Sequence, residues 1–134
     1  MSQIDVRDED YRRLARFRQT LRRFLKFSEA AASEAGLTPQ HYQALLAIRA
    51  APPRGLLVGE LAEQMLLRPH SATGLVDRLS EAGLVERARD EEDRRQVRVR
   101  ATDAARALLA SLAGSHRAEL RRLKPMLTDL IDAL

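Results

Sequence analysis

The chain has 134 residues, of which 45% are hydrophobic and 31% are charged, and its formal net charge is +4. This composition is typical of a globular protein with one modest core, so we expect a single domain spanning residues 1–134. The absence of cysteine excludes disulfides, zinc–thiolate sites and thiol redox sensing. No apolar run approaches the roughly 20 residues that a membrane helix needs, so we expect a cytoplasmic protein with no membrane partner.

The first predicted element is a long helix over residues 7–35, which Gly36 is placed to end. One face of this helix is apolar and carries Phe17, Leu21 and Phe24, whereas the opposite face is rich in arginine. Such a basic face can contact phosphates or can simply be solvated, and the second alternative is the commoner. The apolar stripe is longer than one small domain can cover, which favours burial against a second subunit.

A second helix is predicted to begin at Pro39, which suits a first helical turn because its missing N–H would have no partner there. Thr38 precedes it and can accept a hydrogen bond from an unpaired N–H as an N-cap. The segment Ala51–Gly55 is rich in proline and ends in glycine, so it predicts a loop. Leu56–Leu57 then predicts a small strand.

Two short helical patterns follow in close succession. Apolar residues recur at helical spacing over Val58–Leu66, and Pro69 starts a second pattern that continues to Leu79. The outward face of the second helix is small and hydrogen-bonding in its N-terminal half, as entry into a DNA major groove of about 12 Å width requires. The residues that we expect to contact DNA from this face are His70, Ser71, Thr73, Gly74 and Arg78.

A hairpin is predicted next. Gly83 is placed to end the preceding helix in a left-handed conformation, and strands are predicted over Leu84–Arg89 and Gln96–Ala101. In the second strand, valines alternate with Arg98 and Arg100, so one face can pack on the helices while the other carries positive charge to phosphates. We therefore expect Arg98 to contact DNA.

The tip of this hairpin is acidic. Glu91, Glu92 and Asp93 could be paired catalytic carboxylates or a cation site, but a solvated tip is the favoured interpretation because nothing apolar surrounds them to shift a pKa. His41, His70 and His116 share no metal-ligand spacing. We expect neither an enzyme nor a cofactor.

The last predicted helix spans residues 103–134 and is capped by Thr102 and Asp103. Pro125 within it predicts a kink, or two helices that meet near Lys124, since proline removes a helical hydrogen bond. The leucines of this segment and the apolar stripe of residues 7–35 together predict a twofold homodimer. The expected interface residues are Phe17, Leu21, Phe24, Leu112, Leu120, Leu127 and Leu130.

Four sequence motifs follow one another along the chain. They are Leu61-Ala62-Glu63, Gly74-Leu75-Val76-Asp77-Arg78-Leu79, Ala82-Gly83-Leu84-Val85, and an Asp-x-Arg formed by Asp93 and Arg95 shortly before Ala101-Thr102. Together they resemble the MarR family of winged helix-turn-helix transcriptional regulators. The resemblance covers nearly the whole chain, and the Asp-x-Arg is its most specific part.

This resemblance implies a mostly α fold with a small β-hairpin wing. The winged helix-turn-helix would occupy residues 37–102, and residues 7–35 and 103–134 would be dimerisation helices. In the family, the arginine that matches Arg95 reaches into the minor groove of DNA, and the aspartate that matches Asp93 braces the wing. We expect Arg94 to make a secondary phosphate contact.

The function implied is a homodimeric regulator of transcription, acting as a repressor of a pseudo-palindromic operator and released by a small, aromatic ligand. Such ligands bind between the dimer helices and the winged domain, which here would involve Arg16, Phe17, His41 and Tyr42; that these residues only pack or face solvent is an equal alternative. The alternative function is a winged helix for protein–protein contact or nonspecific nucleic-acid binding. A small polar helix face combined with a basic wing favours the regulator.

Overall fold

The computed structural model describes residues 5–133. Over this range the elements are α1 (Asp8–Glu34), α2 (Pro39–Ala50), β1 (Leu56–Leu57), α3 (Val58–Gln64), α4 (Pro69–Glu81), β2 (Val85–Arg89), β3 (Val97–Ala101) and α5 (Asp103–Asp132). This is the predicted fold class, a winged helix-turn-helix flanked by two long helices. Within residues 5–133, no helix combines the length and the apolar character needed to cross a membrane.

The helix ends follow from local sequence chemistry. The hydroxyl of Thr38 accepts the backbone N–H of His41 at the start of α2, and that of Thr102 accepts the N–H of Ala105 at the start of α5. Gly36 follows α1 with φ +81° and Gly83 follows α4 with φ +75°. Glycine enters this left-handed region without the steric cost that a Cβ imposes, so the predicted helix stops are confirmed.

The wing is a three-stranded antiparallel sheet in the order β1-β3-β2, so β3 is its central strand. Leu56 pairs with Val99 at one edge, and Val85 pairs with Ala101 at the other. The predicted small strand at Leu56–Leu57 therefore completes the wing. The loop before it is fixed by Gly55, because its φ is +97° and an added Cβ would lie 2.6 Å from the carbonyl oxygen of Val99.

The core lies where the short helices meet the sheet. Its largest fully buried side chains are Leu45, Leu61, Leu75, Leu79, Val76 and Val99, which come from α2, α3, α4 and β3. Burial of each such side chain stabilises the fold by roughly 1.5–3 kcal/mol, so these residues hold α4 firmly beside the wing. Their position leaves the N-terminal half of α4 facing solvent.

The helix-turn-helix turn departs from the prediction. The helix predicted to reach Leu66 ends at Gln64, and Leu66 itself adopts φ +55°. The N–H of Leu67 then donates to the carbonyl of Ala62 at 2.9 Å, which closes the turn. A left-handed leucine is uncommon, and this side chain is 93% exposed.

Of the two alternatives predicted at Pro125, a kink or two helices that meet near Lys124, the second is wrong. α5 continues through Pro125 as one helix of 30 residues. A proline inside a helix costs about 3 kcal/mol because it removes one hydrogen bond and crowds the preceding turn. The turns on both sides of Pro125 and the packing of α5 against α1 outweigh that cost.

Two of the residues predicted to form a dimer interface are buried within the subunit. Leu112 belongs to the main core and Leu130 is 8% exposed, so each offers little accessible surface to a partner. Their burial follows from the packing of α1 along α5, which covers the inner face of both helices. Phe17, Leu21 and Leu120 stay 43%, 44% and 48% exposed, whereas Phe24 and Leu127 are half-buried.

Candidate nucleic-acid interface and helix-lined cleft

The outward face of α4 has the predicted composition. Ala72, Leu75, Val76 and Leu79 are buried, which fixes the rotation of the helix about its axis. Of the α4 residues predicted to contact DNA, Gly74 is half-buried and the exposed ones are His70, Ser71, Thr73 and Arg78. The Thr73 hydroxyl donates to the carbonyl of Pro69 at 3.1 Å, so its lone pairs remain available to accept a hydrogen bond from outside.

A groove separates this helix from the wing and brings together two predicted site residues that are distant in sequence. It has a volume of about 700 Å³, and its walls include Thr73 of α4 and Arg95 of the wing. Arg87 and Arg89 of β2 also line it, together with the carboxylates of Glu60, Glu63 and Asp77. Three arginines and three carboxylates therefore line the groove.

The wing tip is held by its aspartates. Asp93 accepts the backbone N–H of Arg95 at 3.1 Å and also the guanidinium Nε at 3.1 Å and Nη2 at 3.3 Å. These hydrogen bonds hold the pKa of the Asp93 carboxyl below its ordinary value. The Arg95 side chain is nevertheless 91% exposed. Arg94 is also exposed, and its carbonyl accepts a hydrogen bond from Arg89 Nη1 at 2.8 Å.

Arg98 does not lie where the sequence predicts. Its Nε donates to Asp90 at 2.5 Å and its Nη1 donates to the carbonyl of Gly55 at 3.2 Å, and only 18% of the side chain is exposed. The physical reason is that β3 is the central strand, so the outward face of β3 lies beside the loop that precedes β1. We therefore leave Arg98 out of the candidate DNA contacts. Arg100 is tied to the same loop, through the carbonyl of Arg54 at 3.1 Å.

A second cavity, of about 930 Å³, lies between α1, α2 and α5. Its walls are mainly apolar and include Phe24, Tyr42, Leu46, Leu120 and Leu127. One edge is basic, because α5 contributes three cations at helical spacing: Arg117, Arg121 and Lys124. Glu29 is the carboxylate in this wall. The helix-lined cleft, as we call this cavity, can therefore hold an apolar or aromatic molecule that carries negative charge.

His116 is the buried polar group of the helix-lined cleft. Its ring stacks on Tyr42 with centroids 5.1 Å apart and meets the edges of Phe24 and Phe27. Its Nδ1 lies 2.8 Å from the carbonyl of Leu112, and a carbonyl only accepts, so Nδ1 carries the proton. In the neutral imidazole, Nε2 then accepts the hydroxyl of Ser28 at 2.8 Å. Burial raises the pKa of Tyr42, which therefore stays neutral.

The residues predicted to bind a ligand are only partly brought together. Tyr42 lines the helix-lined cleft, but Arg16, Phe17 and His41 are not among its lining residues. Arg16 and Phe17 are exposed farther toward the N-terminus of α1, and His41 is half-buried on α2. Ser28, His116 and the three cations of α5 were not predicted from the sequence as site residues. The helical spacing of those cations is the one signal that could have indicated them.

Known proteins share parts of this sequence and fold. The sequence profile of the MarR family matches residues 35–96, which contain the complete helix-turn-helix and the first hairpin strand with the wing tip. Residues 35–96 are therefore similar to the winged helix of the MarR family. Members of the MarR family are transcriptional regulators rather than enzymes. The family resemblance inferred from the motifs is thereby confirmed.

A curated relative, the HTH-type transcriptional regulator YcgE of Bacillus subtilis, is 40% identical over 81 residues, which are 60% of this chain and 51% of YcgE. A second, YfiV of the same organism, is 37% identical over 73 residues, which are 46% of its length. The chain thus spans about half the length of the curated relatives it matches.

Solved structures extend the likeness beyond the matched segment. AbsC from Streptomyces coelicolor aligns with a TM-score of 0.77 at 22% identity and covers 98% of this chain and 93% of its own. CouR from Rhodococcus jostii, solved with bound p-coumaroyl-CoA, aligns with a TM-score of 0.68 at 27% identity over 86% of this chain and 83% of its own. The long helices α1 and α5 therefore belong to the shared fold.

Proposed function

We propose that this chain is a DNA-binding transcriptional regulator that acts as a homodimer. The observation that carries the proposal is the common groove of Thr73 and Arg95, because it lets one stretch of duplex meet both α4 and the wing. A helix inserted in the major groove with a wing on the flanking backbone is a recurring way to read DNA.

Each exposed group of this surface has a role in the proposal. Ser71 and Thr73 present hydroxyls to base edges or phosphates, and Arg78 can bind a guanine through two hydrogen bonds. Arg95 enters the minor groove, where narrow A·T tracts have an enhanced negative potential. Arg94 neutralises a phosphate and adds affinity without sequence preference.

A homodimer is supported by the apolar stripe of α1. Tyr11, Leu14, Phe17, Leu21 and Leu25 follow one another at helical spacing and are all at least 43% exposed. Such a contiguous apolar surface on a small domain indicates an interface. A homodimer would present two α4 helices to a palindromic operator, whose half-sites lie about 34–36 Å apart.

We further propose that a small anionic aromatic molecule binds in the helix-lined cleft and releases the operator, so that the protein acts as a repressor. The apolar walls with Arg117, Arg121 and Lys124 at one edge support that ligand chemistry, as does the p-coumaroyl-CoA found in CouR. α2 connects the helix-lined cleft to the wing. Tyr42 lines the cleft, whereas the loop after Ala50 holds Arg98 and Arg100 of the wing.

Selection of genomic fragments by the purified protein tests this function. We expect recovery of fragments that share an inverted repeat with A·T-rich flanks, and release of those fragments when an aromatic acid is added. Uniform recovery of all fragments would instead indicate nonspecific nucleic-acid binding. Recovery of none would contradict the proposal.

A further inference from the structure

The wing contains a buried carboxylate that the proposed DNA contacts do not use. Asp90 is 7% exposed, although it lies at the base of a solvated hairpin tip. It accepts Arg98 Nε at 2.5 Å and the backbone N–H of Asp93 at 3.0 Å, and its own N–H donates to the carbonyl of Gln96 at 2.9 Å. A buried charge persists only when it is paired and hydrogen-bonded, as Asp90 is.

Arg98 connects this carboxylate to a fixed point of the fold. Its second arm donates to the carbonyl of Gly55 at 3.2 Å, in the loop between α2 and β1. That carbonyl has little freedom, because Gly55 is buried and packs so closely on the Val99 backbone that a Cβ would lie 2.6 Å from its oxygen. The Asp90–Arg98 pair therefore anchors the wing tip to the body of the domain.

The same series of hydrogen bonds extends from Asp90 to Arg95, the exposed arginine at the tip. Asp90 holds the N–H of Asp93, and the Asp93 carboxylate holds the backbone and the guanidinium of Arg95. We propose that Asp90 and Arg98 are positioning residues for DNA binding, which fix the tip so that Asp93 presents Arg95 to the minor groove. This inference rests on the proposed function, since it assumes that Arg95 contacts DNA.

When Asp90 is neutralised, a purely electrostatic role and a positioning role of this residue predict opposite changes in DNA affinity. Removal of a negative charge near a DNA-binding surface reduces repulsion and should leave binding unchanged or tighten it. If Asp90 positions Arg95, the same change should weaken binding. Glu91 is the matched control, because it is the neighbouring carboxylate but is exposed.

The experiment measures the affinity of Asp90→Asn and Glu91→Gln for an A·T-flanked operator, in the wild-type chain and in an Arg95→Ala background. We expect Glu91→Gln to bind at least as tightly as wild type and Asp90→Asn to bind roughly tenfold more weakly and to lose its preference for A·T flanks. In the Arg95→Ala background Asp90→Asn should have no further effect, because residues that act through one contact are not additive.

The possible results distinguish a failure of the proposed wing contact from a failure of the positioning role. If Arg95→Ala binds as wild type does, the wing contact of the proposed function is wrong, and the positioning role with it. If Arg95→Ala binds weakly but Asp90→Asn behaves like Glu91→Gln, or if their effects add, only the positioning role is overturned. Should Asp90→Asn fail to fold, Arg98→Lys gives the same test. Lysine keeps the positive charge but lacks the planar guanidinium with which Arg98 reaches both Asp90 and Gly55. Wild-type affinity of Arg98→Lys for the operator would therefore overturn the proposal.

Discussion

The guanidinium of Arg87 in β2 is hydrogen-bonded to the carboxylate of Asp77 on the outward face of α4. This pair joins the wing directly to the helix that we propose reads the major groove. Both side chains are between two-fifths and one-half exposed, so water screens the attraction. We therefore assign the pair to the relative orientation of wing and helix rather than to overall stability.

A double-mutant cycle with Asp77→Ala and Arg87→Ala checks this assignment. We expect each single change to lower the free energy of unfolding by less than about 1 kcal/mol, with a coupling of roughly 0.2–1 kcal/mol, as for other exposed pairs. Chemical denaturation of the four proteins measures these values. A coupling well above 1 kcal/mol would contradict the assignment, because the pair would then contribute substantially to stability.

The lowered pKa of Asp90 predicts how the free energy of unfolding depends on pH. The hydrogen bonds from the Arg98 side chain and from the backbone N–H of Asp93 lower the pKa of Asp90 from its ordinary value of 3.8. A carboxyl whose pKa is lower in the folded state contributes stability above its unfolded pKa and loses it as pH falls through the folded value. Wild type should therefore exceed Asp90→Asn in unfolding free energy by a constant margin at neutral pH.

That margin should shrink only below about pH 3.8, where Asp90 of the unfolded chain becomes protonated. Urea denaturation of both proteins between pH 7 and pH 3 gives the comparison. Glu91→Gln serves as the control, because Glu91 is exposed and its removal should leave the stability curve nearly unchanged. A margin that already shrinks between pH 7 and pH 5 would contradict a lowered pKa of Asp90.

The proposed dimer predicts a large effect of one charge in the apolar stripe. Leu21→Asp should convert the dimer into monomers or aggregates, because an unpaired carboxylate would be buried in an interface of roughly 2,000 Å² or more. Leu66→Asp introduces the same group at a side chain that is 93% exposed in the helix-turn-helix turn, and it should stay dimeric. Sedimentation at micromolar concentration distinguishes the two. A well-folded wild-type monomer there would rule out the obligate dimer.

The parts of the fold that sequence could predict are those set by local chemistry. Thr38 and Thr102 are N-caps because of their hydroxyls, and Gly36 and Gly83 end helices because they lack a Cβ. The helical spacing of apolar residues likewise predicted which face of α4 is buried. Leu66 is the exception, since leucine carries no signal for the left-handed conformation that ends α3.

The parts that sequence could not predict depend on contacts between distant segments. Alternation in β3 indicated which residues share a face, but not that Arg98 has an internal acid partner or that it reaches Gly55, 43 positions earlier. The helix-lined cleft depends on Ser28 and His116, which are 88 positions apart. The packing of α1 on α5 brings them together, and only the three-dimensional structure shows that.

The central claim is that the exposed face of α4 reads DNA sequence, and its most direct test is binding-site selection with wild type and a Thr73→Ala/Arg78→Ala variant. A bidentate arginine–guanine contact contributes roughly 1–3 kcal/mol of discrimination. We therefore predict that the wild type selects an inverted repeat and that the variant, folded and dimeric, selects a flattened or altered one. Recovery of the same motif by both proteins would contradict the claim that α4 is the reading element.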